Sequence, residues 1–196
     1  MTATKTQHRG IDVMDYWRQN KELRHLTPPG AAWPEGMYFP TYLSQMFEGQ
    51  VVAELGCGAG RLSVCFEPSF YEGYDINPHA VNAARMMHPV HKFFVWDERE
   101  NIVTDCVLAH TVFLHIPDEA IDDVLAKLLT RRIVVSEVMD RSLRRPEQTQ
   151  PPVFNRSLNE YEAILKGHDF ELEKFVRLPY EHYVNTQLTI AAFERV

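Results

Sequence analysis

The feature that most constrains the fold is the stretch Val51–Gly60, which reads Val-Val-Ala-Glu-Leu-Gly-Cys-Gly-Ala-Gly. A short apolar run, interrupted only by Glu54, is followed at once by a Gly-x-Gly-x-Gly turn. This pattern is typical of a buried parallel strand that ends in a glycine loop and leads into a helix. Glycines let the backbone approach a ligand closely, and a helix start offers free N–H groups. We therefore expect a ligand site at the carboxyl end of this strand.

Glu54 and Arg61 indicate which kind of ligand the loop can accept. The carboxylate of Glu54 would repel a pyrophosphate but not a ligand that carries an ammonium or a sulfonium group. The dinucleotide fingerprint requires glycine or alanine at position 61, where this chain has Arg61. Both observations count against a dinucleotide, and Glu54 is compatible with a positively charged ligand; an NAD-dependent oxidoreductase stays open as an alternative.

Strands and helices are predicted to alternate from Gln50 onward. Alternation of this kind predicts a parallel sheet with helices on both faces. Ser157 and Glu160 form a capping box that opens a further helix, which ends near Gly167. Two last strands joined by a short connection suit an antiparallel hairpin. The predicted strands are 50–55, 70–74, 91–96, 103–109, 132–138, 170–178 and 187–194, and the predicted helices between the first five are 59–66, 78–87 and 118–129.

Residues 1–46 are predicted to form an N-terminal helical extension or lid, ahead of a main domain at 47–196. Residues 12–26 are predicted to be helical, residues 41–47 can form a short helix, and a proline-rich connector lies between them. Aromatic residues of this extension either cover the cleft or pack in the core. These residues are Tyr16, Trp17, Trp33, Tyr38 and Phe39.

Composition and the apolar pattern argue against several classes of protein. The formal net charge of −7 disfavours general nucleic-acid binding, which leaves a basic footprint. The three cysteines have no Cys-x-x-Cys spacing, so neither a disulfide framework nor a metal site is predicted. No apolar run approaches 18 residues, and the N-terminus lacks a signal-peptide core. We expect a cytoplasmic protein with a small-molecule substrate and no membrane partner; the sequence does not indicate an oligomeric state.

Four segments resemble motifs of the class I S-adenosylmethionine-dependent methyltransferases, in particular the small stand-alone type that acts on small molecules. Glu54–Gly60 resembles the first motif, Tyr74–Asn77 the second, Asp105–His110 the fourth strand, and Phe113–Asp118 a common "LHHIPD"-like segment. The resemblance covers the chain from about residue 50 to its end. It implies a Rossmann-like α/β fold: a seven-stranded, mostly parallel sheet with an antiparallel last strand and helices on both faces. It also implies S-adenosyl-L-methionine as cofactor and S-adenosyl-L-homocysteine as product.

The same resemblance implies a set of cofactor-binding residues. Asp75 ends the second strand, where its carboxylate can accept both ribose hydroxyls. Asp97 follows the third strand and is expected to accept from the adenine amino group, or else is a solvated loop acid. Ile76 and Trp96 are expected to flank the adenine. The complete expected set is Glu54, Gly56, Cys57, Gly58, Gly60, Asp75, Ile76, Trp96, Asp97, Ala109 and His110.

An oxygen acceptor must lose a proton when it is methylated, and three side chains are candidate bases. They are His110, His115 and Glu137. His110 can instead be a structural histidine, and His115 can instead shape the pocket. Candidate substrate-binding residues lie farther along the chain, where arginines can pair with an anionic group or can simply be solvated. These candidates are Arg141, Arg144, Arg145 and Tyr183.

The acceptor is the least determined part of the prediction. Ala109–Val112 stands where amino-methylating DNA enzymes have an Asn-Pro-Pro-Tyr or Asp-Pro-Pro-Tyr motif, which argues against that activity. A small-molecule or sugar-type oxygen acceptor with an anionic group is therefore the main expectation. A nucleic-acid methyltransferase and a non-catalytic methyltransferase-like partner subunit are the alternatives.

Overall fold

The structure is a computed structural model that describes residues 7–8, 11–21, 43, 46–47, 49–145, 152–179 and 186–196. The α-helices with described bounds are α1 (Val13–Gln19), α2 (Pro78–Met87), α3 (Asp118–Leu125) and α4 (Leu158–Lys166). The strands are β1 (Gln7–His8), β2 (Ile11–Asp12), β3 (Val52–Leu55), β4 (Tyr71–Asp75), β5 (Lys92–Val95), β6 (Ile102–Val103), β7 (Cys106–His110), β8 (Leu128–Leu129), β9 (Arg132–Glu137), β10 (Phe170–Pro179) and β11 (Gln187–Arg195).

Seven of these strands form one sheet in the order β10-β11-β9-β7-β3-β4-β5. The neighbouring pairs from β9 to β5 are all parallel, whereas β11 is antiparallel to both β9 and β10. The predicted fold class is therefore confirmed. Because β3 pairs with β4 on one side and with β7 on the other, the chain reverses its direction of winding at β3. A ligand crevice is expected at the carboxyl ends of the strands at this point.

The central strands are buried on both faces, since all residues of β3 and β7 are buried. On one face, Ala53 and Leu55 pack into a core that includes the inner sides of α3 and α4. On the other face, Val52 lies in a core cluster with Leu43 and Met46 of the N-terminal extension and with Phe47. This continuous burial explains why these strands are mostly apolar rather than alternating, with Glu54 and His110 as their polar residues.

The predicted helix at 59–66 is wrong, because this segment forms turns and one short 3-10 helix, Ser63–Cys65. Its hydrogen bonds connect residues three apart, from Ser63 N to the carbonyl of Gly60 (3.1 Å) and from Cys65 N to that of Leu62 (2.9 Å). Gly60 has a φ of +80°, which lies outside the helical region, and Pro68 disfavours helical geometry at the residue before it. The space between these two residues is too short for a stable α-helix.

The strand predicted at 103–109 and the helix predicted at 118–129 are each divided in the structure. Ile102–Val103 and Leu128–Leu129 form a separate parallel pair, while Cys106–His110 joins the main sheet. Between the two strands, Thr104 Oγ1 donates to the carbonyl of Val51 at 2.8 Å, which turns the chain into the sheet. The remaining predicted strands and helices in the described part of the main domain agree within one or two residues.

The described part of the N-terminal extension contains α1, which lies inside the helix predicted at 12–26. Asp12 caps it, because Oδ1 accepts from the amides of Met14 (3.0 Å) and Asp15 (3.1 Å). Residues 22–26 and most of 41–47 lie outside the described residues, and the domain division at residue 46 stays a prediction. Within the described ranges, no helix is both long enough and apolar enough to span a membrane.

Candidate functional site

A cleft lies where β3, β4, β5 and β7 end, and it encloses about 790 Å³ including its open mouth. Six of the expected cofactor-binding residues contribute to its walls, together with residues from α1 and from the segment after β7. The lining residues are Met14, Trp17, Leu55, Gly56, Gly58, Asp75, Ile76, Trp96, His110, Thr111, Val112, His115 and Ile116.

The glycine loop forms one wall of the cleft because its backbone can follow a path closed to other residues. Gly56 has a φ of +68°, and a Cβ at this position would lie 2.3 Å from Cγ2 of Val112. Its amide donates to the carbonyl of Tyr74 at 2.7 Å, and Cys57 N donates to the same oxygen at 3.1 Å. The loop is therefore fastened to the end of β4 and packed against the segment after β7, and only glycine is compatible with that position.

Asp75 is the acidic side chain that lines the cleft. Oδ2 accepts from Gly58 N and Oδ1 accepts from Asn77 N, both at 2.8 Å. The carboxyl group is buried, which raises its pKa, although these two backbone donors oppose that rise. Each oxygen accepts one described hydrogen bond and has capacity for another, so the group can still accept hydroxyl donors from a ligand.

Helix α1 covers part of the cleft through Met14 and Trp17. The indole ring of Trp17 packs against the imidazole of His115, with ring centroids 4.8 Å apart and planes inclined by 56°. Arg18, on the same helix, forms hydrogen bonds of 2.7 and 2.8 Å with the carboxylate of Glu98. The sequence singled out Trp17 as a lid residue and missed Met14, although Met14 lies three residues earlier and so on the same helical face.

His110 ends β7 with both ring nitrogens in hydrogen bonds. Nε2 lies 3.1 Å from Nη2 of Arg61, and Nδ1 lies 3.0 Å from Oγ of Ser136. Because a guanidinium group only donates, Nε2 must accept and Nδ1 must carry the proton. Burial, with a further contribution from the charge of Arg61, lowers the pKa of His110 to about 3. The imidazole is therefore neutral at physiological pH, and its basic nitrogen is occupied by Arg61.

His115 also lines the cleft, in the short 3-10 helix Phe113–His115. Nδ1 lies 3.0 Å from the carbonyl of Pro152 and so carries the proton, which leaves Nε2 as the acceptor. Among the described residues, no partner is found for Nε2. Burial lowers the pKa of His115 to about 4, so this ring is neutral as well. Nε2 of His115 is thus not engaged by a described residue, in contrast to Nε2 of His110, which is bound by Arg61.

Glu137 does not line the cleft, although it ends β9 beside it. Oε1 accepts from Leu114 N at 3.1 Å, and Oε2 accepts a short hydrogen bond from the hydroxyl of Tyr161. Burial raises the pKa of Glu137 to about 7. Arg156, which is 2% exposed, donates to the carbonyls of Phe113 and Ile116, both at 2.8 Å. In this arrangement Glu137 and Arg156 hold the segment that carries His115.

Five residues of the expected cofactor-binding set lie outside the cleft lining: Glu54, Cys57, Gly60, Asp97 and Ala109. The carboxyl group of Glu54 is buried and accepts a short hydrogen bond from the hydroxyl of Tyr71, and burial raises its pKa to about 8. Asp97 is held at the surface by Arg99 through hydrogen bonds of 2.9 and 2.7 Å, which lower its pKa to about 2. Their roles in cofactor binding stay predictions.

None of the expected substrate arginines lines the cleft. Arg141 pairs with Glu160 at 2.6 Å, and Arg144 pairs with Asp118 at 2.5 Å. Arg145 donates to the carbonyl of Ser142 at 2.5 Å. Tyr183 lies outside the described residues, as do the aromatic residues at positions 33, 38 and 39. Within the described ranges, no group of three or more His, Cys, Asp or Glu side chains is placed to hold a metal ion.

The segment after β7 contributes lining residues that the sequence did not single out. Thr111 adopts a φ of +54°, which is uncommon for a residue other than glycine and places the next residues against the glycine loop. Val112 and Ile116 then form apolar walls. The position of Val112 depends on its contact with Gly56, and that of Ile116 on the hydrogen bond from Arg156. These two contacts join distant parts of the chain, so no local sequence pattern predicts them.

No protein-family model matches the chain, and no curated protein matches it either. Several solved structures are similar to it. Magnesium protoporphyrin IX methyltransferase from Synechocystis PCC 6803, solved with bound SAM, is 17% identical, with a TM-score of 0.65 over 97% of this chain and 100% of that one. The 1,6-didemethyltoxoflavin-N1-methyltransferase of Burkholderia thailandensis is 16% identical, with a TM-score of 0.62 over 80% and 77% of the two chains.

A SAM-dependent methyltransferase from Methanosarcina mazei is 16% identical, with a TM-score of 0.61 over 81% of this chain and 98% of that one. At these identities the likeness establishes the fold. The likeness covers 77% to 100% of each of these three solved chains, so it is not confined to one isolated motif. The protein described here therefore has the fold of the class I S-adenosylmethionine-dependent methyltransferases.

Proposed function

We propose that the protein is an S-adenosylmethionine-dependent methyltransferase that acts on a small molecule. The observation that carries the proposal is the placement of Asp75 in the cleft. Its carboxylate is buried beside the glycine loop, is oriented by Gly58 N and Asn77 N, and retains capacity to accept two hydroxyl groups of a ribose.

The described lining residues suit the parts of this cofactor. Gly56 and Gly58 present backbone without side chains, and Ile76 and Trp96 offer apolar surfaces for an adenine ring. The indole nitrogen of Trp17 is buried and has no hydrogen-bond partner among the described residues. An unpaired buried donor is costly, so a ligand acceptor near Trp17 would remove that cost. When bound, S-adenosylmethionine supplies a methyl group already activated by a positively charged sulfur.

The residues of the chain would then orient the cofactor, exclude water from the reacting groups and accept a proton from the acceptor. The apolar walls, including Met14, Val112 and Ile116, would exclude water around the reacting groups. The glycine loop and Asp75 would fix the cofactor, so that proximity supplies much of the acceleration. For a hydroxyl acceptor, Nε2 of His115 is the candidate to take the proton, because Nε2 of His110 is engaged by Arg61.

The acceptor is proposed to be a small molecule that is methylated on oxygen. The absence of lysine and arginine from the described lining favours apolar contacts to this acceptor. An anionic acceptor held by Arg141, Arg144 or Arg145 would need these side chains to leave their present partners. A screen that pairs neutral hydroxyl compounds with matched carboxylates and sugar phosphates tests this point. Preference for the anions, lost in an Arg144→Gln and Arg145→Gln double variant, would support the anionic class.

Calorimetric titration with S-adenosylmethionine, S-adenosylhomocysteine and NAD tests the proposal directly. We expect the first two to bind and NAD not to bind. Asp75→Ala serves as the matched variant, since it removes the ribose acceptor at the cleft. Absence of binding of both S-adenosyl compounds by folded wild-type protein would contradict the proposal, and binding of NAD alone would favour the oxidoreductase alternative.

A further inference from the structure

The side chain of Asn77 connects three parts of the site. It lies two residues after Asp75 and is completely buried. Its carboxamide oxygen accepts from the amides of His79 (2.9 Å) and Ala80 (3.2 Å), and so caps the start of α2. Its carboxamide nitrogen donates to the carbonyls of Trp17 (2.9 Å) and Asn20 (2.7 Å). The carboxamide oxygen therefore caps the start of α2, and the carboxamide nitrogen binds two carbonyls at the carboxyl end of α1.

The two carbonyls lie at the end of α1, where a helix leaves its last carbonyls without their usual intrahelical partners, although that of Trp17 also accepts a long backbone hydrogen bond from Asn20 N at 3.3 Å. With its two N–H groups, Asn77 satisfies one carbonyl on each side of the last turn of α1. The helix has only seven residues and would be marginal without tertiary contacts. The other described polar tie between α1 and the main domain is the pair of Arg18 and Glu98, whose side chains are 35% and 40% exposed. An exposed ion pair of this kind contributes little.

The position of α1 matters because its residues complete the cleft. Met14 and Trp17 line it, and Trp17 packs on His115 from the opposite wall. Because Asn77 N also donates to Oδ1 of Asp75, the same residue orients the acid on one side and holds the helix on the other. A ligand bound against Asp75 therefore contacts a wall whose position depends on the Asn77 carboxamide.

We propose that Asn77 is a positioning residue that holds α1 as the movable wall of the cofactor cleft. Opening of its two hydrogen bonds lets α1 leave, and their closure retains an S-adenosyl ligand. The retention part of this inference rests on the proposed methyltransferase function, whereas the attachment of α1 by Asn77 does not.

The two halves of the carboxamide can be separated by substitution. Asn77→Asp and Asn77→Ser both keep an oxygen that can cap α2 and both lose the carboxamide NH2 group that bridges Trp17 O and Asn20 O; the serine hydroxyl keeps one donor on a shorter side chain and cannot bridge both. Asp retains the size of the side chain and Ser avoids an added charge, so agreement between them excludes charge as the cause. Asn77→Ala removes both functions. Arg18→Gln is the control, because it removes the exposed ion pair with Glu98, together with the pair that Arg18 forms with Asp15 inside α1, and leaves the carboxamide of Asn77 in place.

Amide hydrogen exchange of α1 and calorimetric binding of S-adenosylhomocysteine are the two measurements. We expect Asn77→Asp and Asn77→Ser to exchange faster in α1, to leave α2 protected, and to bind S-adenosylhomocysteine about tenfold or more weakly. Arg18→Gln should change binding less than about threefold. Asn77→Ala should in addition lose protection in α2.

The outcomes distinguish this inference from the proposed function. If wild-type protein binds S-adenosylhomocysteine and both variants bind equally well, the positioning role is wrong. If wild-type protein does not bind it, the methyltransferase proposal fails, and exchange in α1 still decides whether Asn77 holds the helix. Unchanged α1 exchange in both variants overturns the inference in either case.

Discussion

Arg61 donates from its guanidinium group to Nε2 of His110 at 3.1 Å, and this contact determines what the histidine can do. It occupies the nitrogen that a general base would need, and the charge of Arg61 adds to burial in lowering the pKa of His110 to about 3. The position of His110 in the sequence suggests a general base. In the structure, His110 is instead a hydrogen-bond acceptor that holds Arg61 beside the glycine loop.

Substitution of His110 separates these two roles. His110→Gln provides a side-chain acceptor without a titratable ring, whereas His110→Ala provides neither. We expect the glutamine variant to keep turnover within about threefold, because its side-chain oxygen can still accept from Arg61, and the alanine variant to lose about tenfold or more, because Arg61 loses this acceptor. Loss of a general base would instead cost about 10² to 10⁴ in rate in both variants. Steady-state kinetics with the identified acceptor makes the comparison. A loss of a hundredfold in both variants would restore His110 as the base.

Asp75 and Asp97 form a matched pair for the cofactor site. Asp75 lies in the cleft, so Asp75→Ala should weaken S-adenosylhomocysteine binding by about 10- to 100-fold, as expected for hydrogen bonds to a charged group. Asp97 is held by Arg99 at the surface, so Asp97→Ala should change the dissociation constant less than about threefold. Calorimetry measures both. A large effect at position 97 would instead support the expected contact with the adenine amino group.

Gly56 and Gly49 form a second matched pair, because both have positive φ and only one is crowded. A Cβ at position 56 would meet Val112 at 2.3 Å, whereas nothing lies within 4 Å of a Cβ at position 49. We expect Gly49→Ala to lower the free energy of unfolding by about 1 kcal/mol from backbone strain alone. Gly56→Ala should cost about 2 kcal/mol or more and abolish ligand binding. Equal losses in urea denaturation would contradict the importance of the Val112 contact.

Glu54 predicts a dependence of stability on pH. Burial raises its pKa from 4.5 to about 8, so the folded state favours the neutral acid. The stabilisation linked to this group is complete below pH 4.5 and is lost as the pH rises toward 8, because the unfolded chain releases the proton first. Between these values the free energy of unfolding should fall by on the order of 1 kcal/mol per pH unit from this group.

Glu54→Gln removes this titration and keeps a neutral side chain of the same size. Urea denaturation at pH 5.5 and pH 8.0 should therefore show a smaller loss of stability in the variant than in the wild-type protein. Tyr71→Phe is a useful control, since it removes the hydroxyl that donates to Glu54 and leaves the titratable acid in place. Identical pH profiles of wild-type and Glu54→Gln protein would contradict the buried neutral acid.

The sequence by itself determined the alternation of strands and helices, the hairpin at the end, the glycine loop and Asp75. These features have local signals, because a buried strand, a capping box and a turn each require particular residues within a few positions. The fold class followed from them and is confirmed. The segment at 59–66 was misjudged because the pattern of a glycine loop that leads into a helix does not reveal that Gly60 leaves the helical region and that Pro68 follows too soon.

Only the tertiary structure decided which of these residues meet. Whether His110 is free or engaged depends on Arg61, 49 positions earlier, and the placement of the loop with His115 depends on Arg156, about 40 positions later. Likewise α1 reaches the cleft through Asn77, 60 positions from Trp17. Contacts at such separations arise from chain topology and packing, for which no short sequence window carries a signal. The sequence therefore located the end of the sheet at which the cleft lies, namely the carboxyl ends of its strands. The fold determined which side chains are available for chemistry there.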